Sequence, residues 1–184
     1  MPVNIPDTLP AIEALKQENI FVIDTTRASH QDIRPLRLAV LNLMPVKVTT
    51  ETDLIRLLSN TPLQLEIDLV MVGGHTPKNT SEKHMRSFYF DFSQIKHKKY
   101  DGLIVTGAPV EQLEYEDVTY WDELVEILDW SRTNVQSSLF ICWASMAALY
   151  HYYGVPKHPL NQKMFGVFHH TASDPLLPIF RGFD

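Results

Sequence analysis

Five runs of apolar, mostly branched residues punctuate the chain: Ile20-Phe21-Val22-Ile23, Leu36 to Leu43, Leu65 to Val72, Leu103-Ile104-Val105 and Leu139-Phe140-Ile141. Several do not alternate apolar with polar residues, as expected of strands buried on both faces of a parallel sheet. Segments of helical period lie between them. After Thr50, which can serve as an N-cap, Leu54, Ile55, Leu57 and Leu58 make one apolar face. Glu51 and Asp53 then fall in a first turn, where the helix dipole favours negative charge. Thr119-Tyr120-Trp121-Asp122 reads as a capping box with Asp in the usual Glu position. It leads into Leu124, Ile127 and Leu128, opposite Glu123, Glu126 and Asp129. Strand and helix in alternation predict a doubly wound α/β fold, with a mostly parallel sheet and helices on both faces. Ligands of such sheets collect beyond the carboxyl ends of the strands.

The first 35 residues have a different texture. A short helical pattern, Ala11-Ile12-Glu13-Ala14-Leu15, precedes a strand candidate and then the polar stretch Thr25 to Asp32. We read residues 1–35 as an N-terminal arm and 36–184 as the α/β domain. The arm packs on the main sheet or on a second copy of the chain, which would make a homodimer. Composition narrows the class further. At 184 residues, with 45% hydrophobic and 21% charged residues, the chain has the makings of one globular core. A net charge of −6 argues against a nucleic-acid binder or a partner of anionic membranes, since either wants a basic face. The cluster Lys96-His97-Lys98-Lys99 reads as a solvated loop. One cysteine excludes an intrachain disulfide and suits a reducing compartment. The first residues lack a basic stretch followed by an apolar one, and no apolar run is long enough to span a bilayer. The expected setting is cytoplasmic.

Candidate chemistry sits where three strand candidates end. The loops are Asn42-Leu43-Met44-Pro45-Val46-Lys47, Thr106-Gly107-Ala108-Pro109-Val110-Glu111, and the turn at Cys142. A parallel sheet would deliver all three to one edge. Cys142 closes the run Ser138-Leu139-Phe140-Ile141 and opens the helix formers Trp143-Ala144-Ser145-Met146-Ala147-Ala148-Leu149, so it stands where a strand hands over to a helix. Such a turn projects a thiol from the sheet edge, and helix-terminal N–H groups favour a thiolate there. A buried free cysteine filling space as a small hydrophobe is the other reading. Gly107 admits close approach of backbone to a ligand, and the N–H groups of Gly107, Ala108 and Trp143 could form an oxyanion hole; taken alone, Thr-Gly-Ala-Pro reads first as a tight turn. Lys47 either meets an anionic group or sits in solvent. One cysteine and scattered histidines give no metal-ligand spacing, so no metal is expected.

Taken together, the blocks Met1-Pro2 with Pro6, Asp7, Leu9 and Pro10, Arg27-Ala28-Ser29, Asp32-Ile33-Arg34-Pro35-Leu36, Leu41-Asn42-Leu43-Met44-Pro45, Glu51-Thr52, Arg56-Leu57-Leu58-Ser59-Asn60, Asp101 to Pro109, Cys142-Trp143-Ala144, Tyr153-Gly154-Val155-Pro156-Lys157 and Arg181-Gly182-Phe183-Asp184 resemble one family. This is the homoserine O-acyltransferases of the homoserine trans-succinylase type. The resemblance runs from Met1 to Asp184. It implies a class I glutamine amidotransferase-like, flavodoxin-like fold and transfer of an acyl group from acyl-CoA to the hydroxyl of L-homoserine, an entry step of methionine synthesis. It further implies that Cys142 is the acyl-carrying nucleophile and that Lys163, otherwise an ordinary exposed lysine, contacts the amino-acid substrate. Glu111 matches the position associated with acyl-donor choice, where glycine accompanies succinyl-CoA and glutamate acetyl-CoA. A carboxylate there fills space and repels the far end of a succinyl group, so acetyl-CoA is the implied cosubstrate, with no bound cofactor.

Family members continue well past the position of Asp184. The resemblance assigns their general-base histidine, a supporting glutamate and further substrate contacts to that later part, so we read the chain as a partial protein. His151, His169 and His170 are poor substitutes. Alternatives are homoserine O-succinyltransferase or serine O-acetyltransferase activity, since serine lacks only one methylene. A glutamine amidotransferase or hydrolase on the same fold and a catalytically inactive binding module complete the set.

Overall fold

The computed structural model describes residues 3–6, 8–20, 22–24, 34–73, 79–162 and 164–180. Seven strands among them build a single sheet: β1 (Val3–Ile5), β2 (Ile23–Asp24), β3 (Leu36–Leu41), β4 (Leu65–Met71), β5 (Tyr89–Asp91), β6 (Tyr100–Val105) and β7 (Val135–Phe140). Every pairing is parallel. The order is β2-β1-β4-β3-β6-β7, with β5 also against β4. β1 lies beside the start of β4 (Val3 opposite Leu65) and β5 beside its end (Leu69 opposite Tyr89). With the three-residue β5 left out of the count, the order β4-β3-β6-β7 follows the 2-1-3-4 sequence of flavodoxin-like sheets.

Side chains alternate across this sheet and feed two cores. Ala39, Leu41, Val70, Leu103 and Val105 face one way, toward α5 (Trp121–Asn134) and α6 (Trp143–Tyr153), numbered in chain order. Val40, Leu65 and Leu69 face the other way, toward α1 (Ala11–Gln17), α2 (Lys47–Leu58) and α3 (Glu82–Phe88). α4 (Phe92–Ile95) adds Phe92 and Ile95 to the first core. Burial on both faces explains the apolar runs of β3, β4 and β6, whereas β7 is largely exposed. The α/β class and the helices on both faces are therefore as expected.

Local details depart from the sequence reading. β1 and β5, at three residues each, carry too little pattern to be seen in advance. α2 starts at Lys47 with Val46 in the cap position, four residues ahead of the expected Thr50 cap. Thr50 instead lies inside the helix, where its hydroxyl donates to the Val46 carbonyl at 3.1 Å, the i−4 back-bond open to Ser and Thr. Its first turn holds no acidic residue. Of the expected apolar face, Ile55 is buried but Leu57 is 73% exposed. The capping box at Thr119 does not form: Tyr120 takes the cap position, and no side chain caps the helix. The preceding turns use backbone instead, with Trp121 N–H donating to the Val118 carbonyl and Leu124 N–H to that of Tyr120. The helix itself is as read, with Leu124, Ile127 and Leu128 buried.

Candidate active site

β3, β6 and β7 are adjacent and parallel, and Leu41, Val105 and Phe140 stand level in register. Their three following loops thus emerge at one edge. The helices after β3 and β6 cover opposite faces, so a crevice opens between these two strands, the topological switch point of the sheet. Hydrogen bonds stitch the loops together. Thr106 N–H donates to the Leu41 carbonyl at 3.0 Å, Ile141 N–H to that of Val105 at 2.9 Å, and Leu43 N–H to the Thr106 hydroxyl at 2.7 Å.

Cys142 occupies the strand-to-helix turn with φ 57° and ψ −122°, a conformation that L-residues avoid. The turn persists because its carbonyl is over-determined. It accepts from Ser145 N–H at 3.0 Å and from the Ser145 hydroxyl at 2.6 Å. The residue is exposed, so the space-filling reading of Cys142 fails. Gly107 presses against it: a β-carbon at 107 would lie 2.9 Å from Cys142 Cβ and 3.3 Å from Sγ, so only glycine fits this approach. Among the described residues nothing accepts from the backbone N–H of Gly107, Ala108 or Trp143. These donors are free for a ligand. Behind them Trp143 is fully buried, its ring edge-on to Tyr120 at 6.3 Å.

On the other side of the crevice lies a polar cluster the sequence reading did not anticipate. Lys47 is 5% exposed, so its solvated reading fails. Its Nζ donates to the carbonyl of Asn42, the first residue past β3. Burial lowers its pKa to about 8, against the opposing influence of the Glu51 charge. Asn42 Nδ2 donates to the Tyr89 hydroxyl at 2.9 Å, and that hydroxyl donates to Glu51 Oε1 at 2.5 Å. His84 Nε2 completes the shell of Glu51 at 3.0 Å. A sequence signal for this did exist: Lys47, Glu51 and Ile55 recur every four residues and so share one stripe of α2 with its buried apolar member.

Comparison with known proteins now bears on the arrangement. Residues 2–184 match the family described as homoserine O-succinyltransferase. The chain belongs to that family. It is 65% identical to a homoserine O-acetyltransferase of Bacteroides thetaiotaomicron, 61% to one of Brevibacillus brevis and 58% to one of Acetivibrio thermocellus, in each case along all 184 residues. It spans 60% of the length of each of these relatives.

In this member of the family Glu111 is exposed on the loop after β6, and its backbone carbonyl accepts from Lys157 Nζ at 3.1 Å. Lys157 also donates to the Leu113 carbonyl and lies 4.8 Å over the Tyr115 ring, which fixes the turn that carries Glu111. Nothing local in the sequence marks Lys157 for this role, since its partners lie 46 and 44 positions away. Lys163 lies outside the described residues. His151 pairs with Asp129 at 2.8 Å, while His169 and His170 are exposed. No side chain among the described residues hydrogen-bonds Cys142 Sγ.

Proposed function

We propose that this chain carries the acyl-accepting part of a homoserine O-acyltransferase that uses acetyl-CoA. The observation that carries the reading is the exposed Cys142 on its strained turn, with Gly107 against it and three unused N–H groups beside it. The Cys142 thiolate attacks the thioester carbonyl of acetyl-CoA. Negative charge develops on the carbonyl oxygen, where the N–H groups of Gly107, Ala108 and Trp143 stabilise it. The carbon–sulfur bond to CoA then breaks, CoA leaves as its thiolate and takes a proton, and the acetyl group remains on Cys142. In the second half-reaction the homoserine hydroxyl attacks this thioester, gives its proton to a base and releases the cysteine as thiolate. No resident cofactor enters either step.

Glu111 sets the donor, its carboxylate opposing the charged end of a succinyl group. Lys47 meets an anionic group of a substrate, and Lys163 contacts the amino-acid substrate. The relatives' names, homoserine O-acetyltransferase, agree with the acetyl reading and with L-homoserine as acceptor. A cytoplasmic setting in methionine synthesis follows from the same reading. The base for the second step is assigned to the part of the family's length that this chain does not span.

Incubation with labelled acetyl-CoA, followed by intact and peptide mass analysis, tests the first step. One acetyl group on Cys142 is expected, and removal by hydroxylamine identifies a thioester. Label on no residue, or on lysines alone, overturns the reading, and release of ammonia from glutamine would assign an amidotransferase instead. In a donor competition the Glu111→Gly variant should accept succinyl-CoA at least about tenfold better relative to acetyl-CoA. An unchanged preference removes Glu111 from the donor choice.

A further inference from the structure

Acyl transfer, as proposed, uses Lys47 but gives no role to Glu51 and His84 behind it, and the three together are the buried charged cluster of the described residues. The Glu51 side chain has no exposure at all, and Lys47 and His84 are 5% and 9% exposed. Burying a carboxylate and an ammonium is expensive, and a well-packed apolar set would serve stability as well or better. Lys47 is also the first residue of α2, the helix end at which the dipole disfavours a cation. Its ammonium has three donors and, among the described residues, one acceptor, the Asn42 carbonyl. The placement therefore works against folding on three counts.

We infer that Glu51 is a positioning residue for Lys47 and for the turn after β3. Through Tyr89 it anchors the side chain of Asn42, and across the same stripe of α2 its carboxylate supplies the counter-charge of the Lys47 ammonium. The chain of contacts is continuous. His84 Nε2, as an N–H donor, and the Tyr89 hydroxyl both bond Glu51, so the carboxylate is held from two sides. Burial, reinforced by the Glu51 charge, raises the Tyr89 pKa well above its ordinary value, so this hydroxyl stays a donor. Tyr89 in turn accepts from Asn42 Nδ2, while Asn42 Oδ1 accepts from Met44 N–H at 3.1 Å. One residue later, Leu43 N–H reaches the hydroxyl of Thr106, the neighbour of Gly107, which abuts Cys142. Glu51 thus governs where the Lys47 ammonium and the Asn42 turn stand at the switch point, without touching substrate itself. That Lys47 serves an anionic substrate group rests on the proposed function; that Glu51 holds Lys47 does not.

The test separates the two. Titration of the Lys47 side chain by NMR in 13C-lysine-labelled 184-residue protein, assigned by loss of its signal in Lys47→Arg, needs no substrate. In Glu51→Gln the Lys47 midpoint should fall by about 1 pH unit, because an opposite charge is lost at unchanged shape. In Tyr89→Phe, which keeps the carboxylate, the midpoint should stay while amide exchange at Leu43 and Met44 accelerates about tenfold. A folded Glu51→Gln with an unmoved Lys47 midpoint overturns the inference. Should Glu51→Gln not fold, unchanged exchange at Leu43 and Met44 in Tyr89→Phe overturns it equally. A third arm follows acetylation of Cys142 in the same variants, where slower labelling is expected. Absence of labelling in the unaltered chain would count against the acyltransferase reading and leave the titration arm to decide on Glu51.

Discussion

At the scale of single residues the site depends on one close approach and one misplaced charge. Native Cys142 should react with iodoacetamide under mild conditions, and peptide mapping by mass spectrometry checks this; reaction only after denaturation would contradict its exposure. In Gly107→Ala the added methyl must displace Cys142 or its own loop, since 2.9 Å is far inside a normal carbon–carbon contact. Alkylation and acetylation of Cys142 should both fall by at least about tenfold while the far-ultraviolet spectrum is kept. Lys47 gives a prediction with a definite sign. Its pKa is about 8 in the folded chain, below the ordinary lysine value of 10.5. Below pH 8 both states hold the proton and the burial penalty is fully felt. Between these two values the unfolded chain binds more protons, so stability rises with pH. Urea melts should show the unaltered chain gaining on Lys47→Met by up to about 3 kcal/mol between about pH 7.5 and about pH 10.5. A constant difference would contradict the burial of the ammonium.

At the scale of elements, turn and terminus chemistry decides where helices begin and end. α6 stops at Gly154, whose φ of 67° is left-handed and whose N–H bonds the Tyr150 carbonyl at 2.8 Å. Nothing lies within 4 Å of where a β-carbon would stand, so Gly154→Ala isolates the backbone penalty from any clash. A loss of about 1 kcal/mol is expected in denaturant melts, with no change in Cys142 labelling. The amino end of the same helix is held differently, by Ser145 on the Cys142 carbonyl. The helix thereby presents its first N–H group, that of Trp143, at the reactive turn.

For the whole molecule, the telling feature is the distribution of apolar surface. Among the described residues β7 is the last strand of the sheet and nothing pairs with its outer edge; Leu139 on it is 57% exposed. From Tyr153 onward large apolar side chains stand open, among them Val167, Leu176 and Ile179. An unpaired strand edge beside open apolar groups is a template for association. The 184-residue chain should self-associate with rising concentration in sedimentation experiments. Leu139→Lys, which puts a charge on that edge, should shift the distribution toward monomer, and an unaffected distribution would place the contact elsewhere.

The strand-and-helix alternation, the arrival of three loops at one sheet edge and the exposed turn at Cys142 were legible in the sequence. Each follows from local periodicity, from the handover of a strand to a helix, or from the rule that parallel strands share one carboxyl edge. The pressing of Gly107 against Cys142, the burial of Lys47 and Glu51, and the clamp of Lys157 on the Glu111 turn were not. They rest largely on residues far apart in the sequence, such as Glu51 with His84, 33 positions on, and Lys157 with Glu111, 46 positions back. The three-residue strands β1 and β5 belong with them, since each is a strand only through its neighbours in the sheet, β1 between β2 and β4 and β5 against β4. A charge reads as solvated in a sequence because most charges are; only the packed structure, by closing water away from this stripe of α2, makes Lys47 and Glu51 answer to one another.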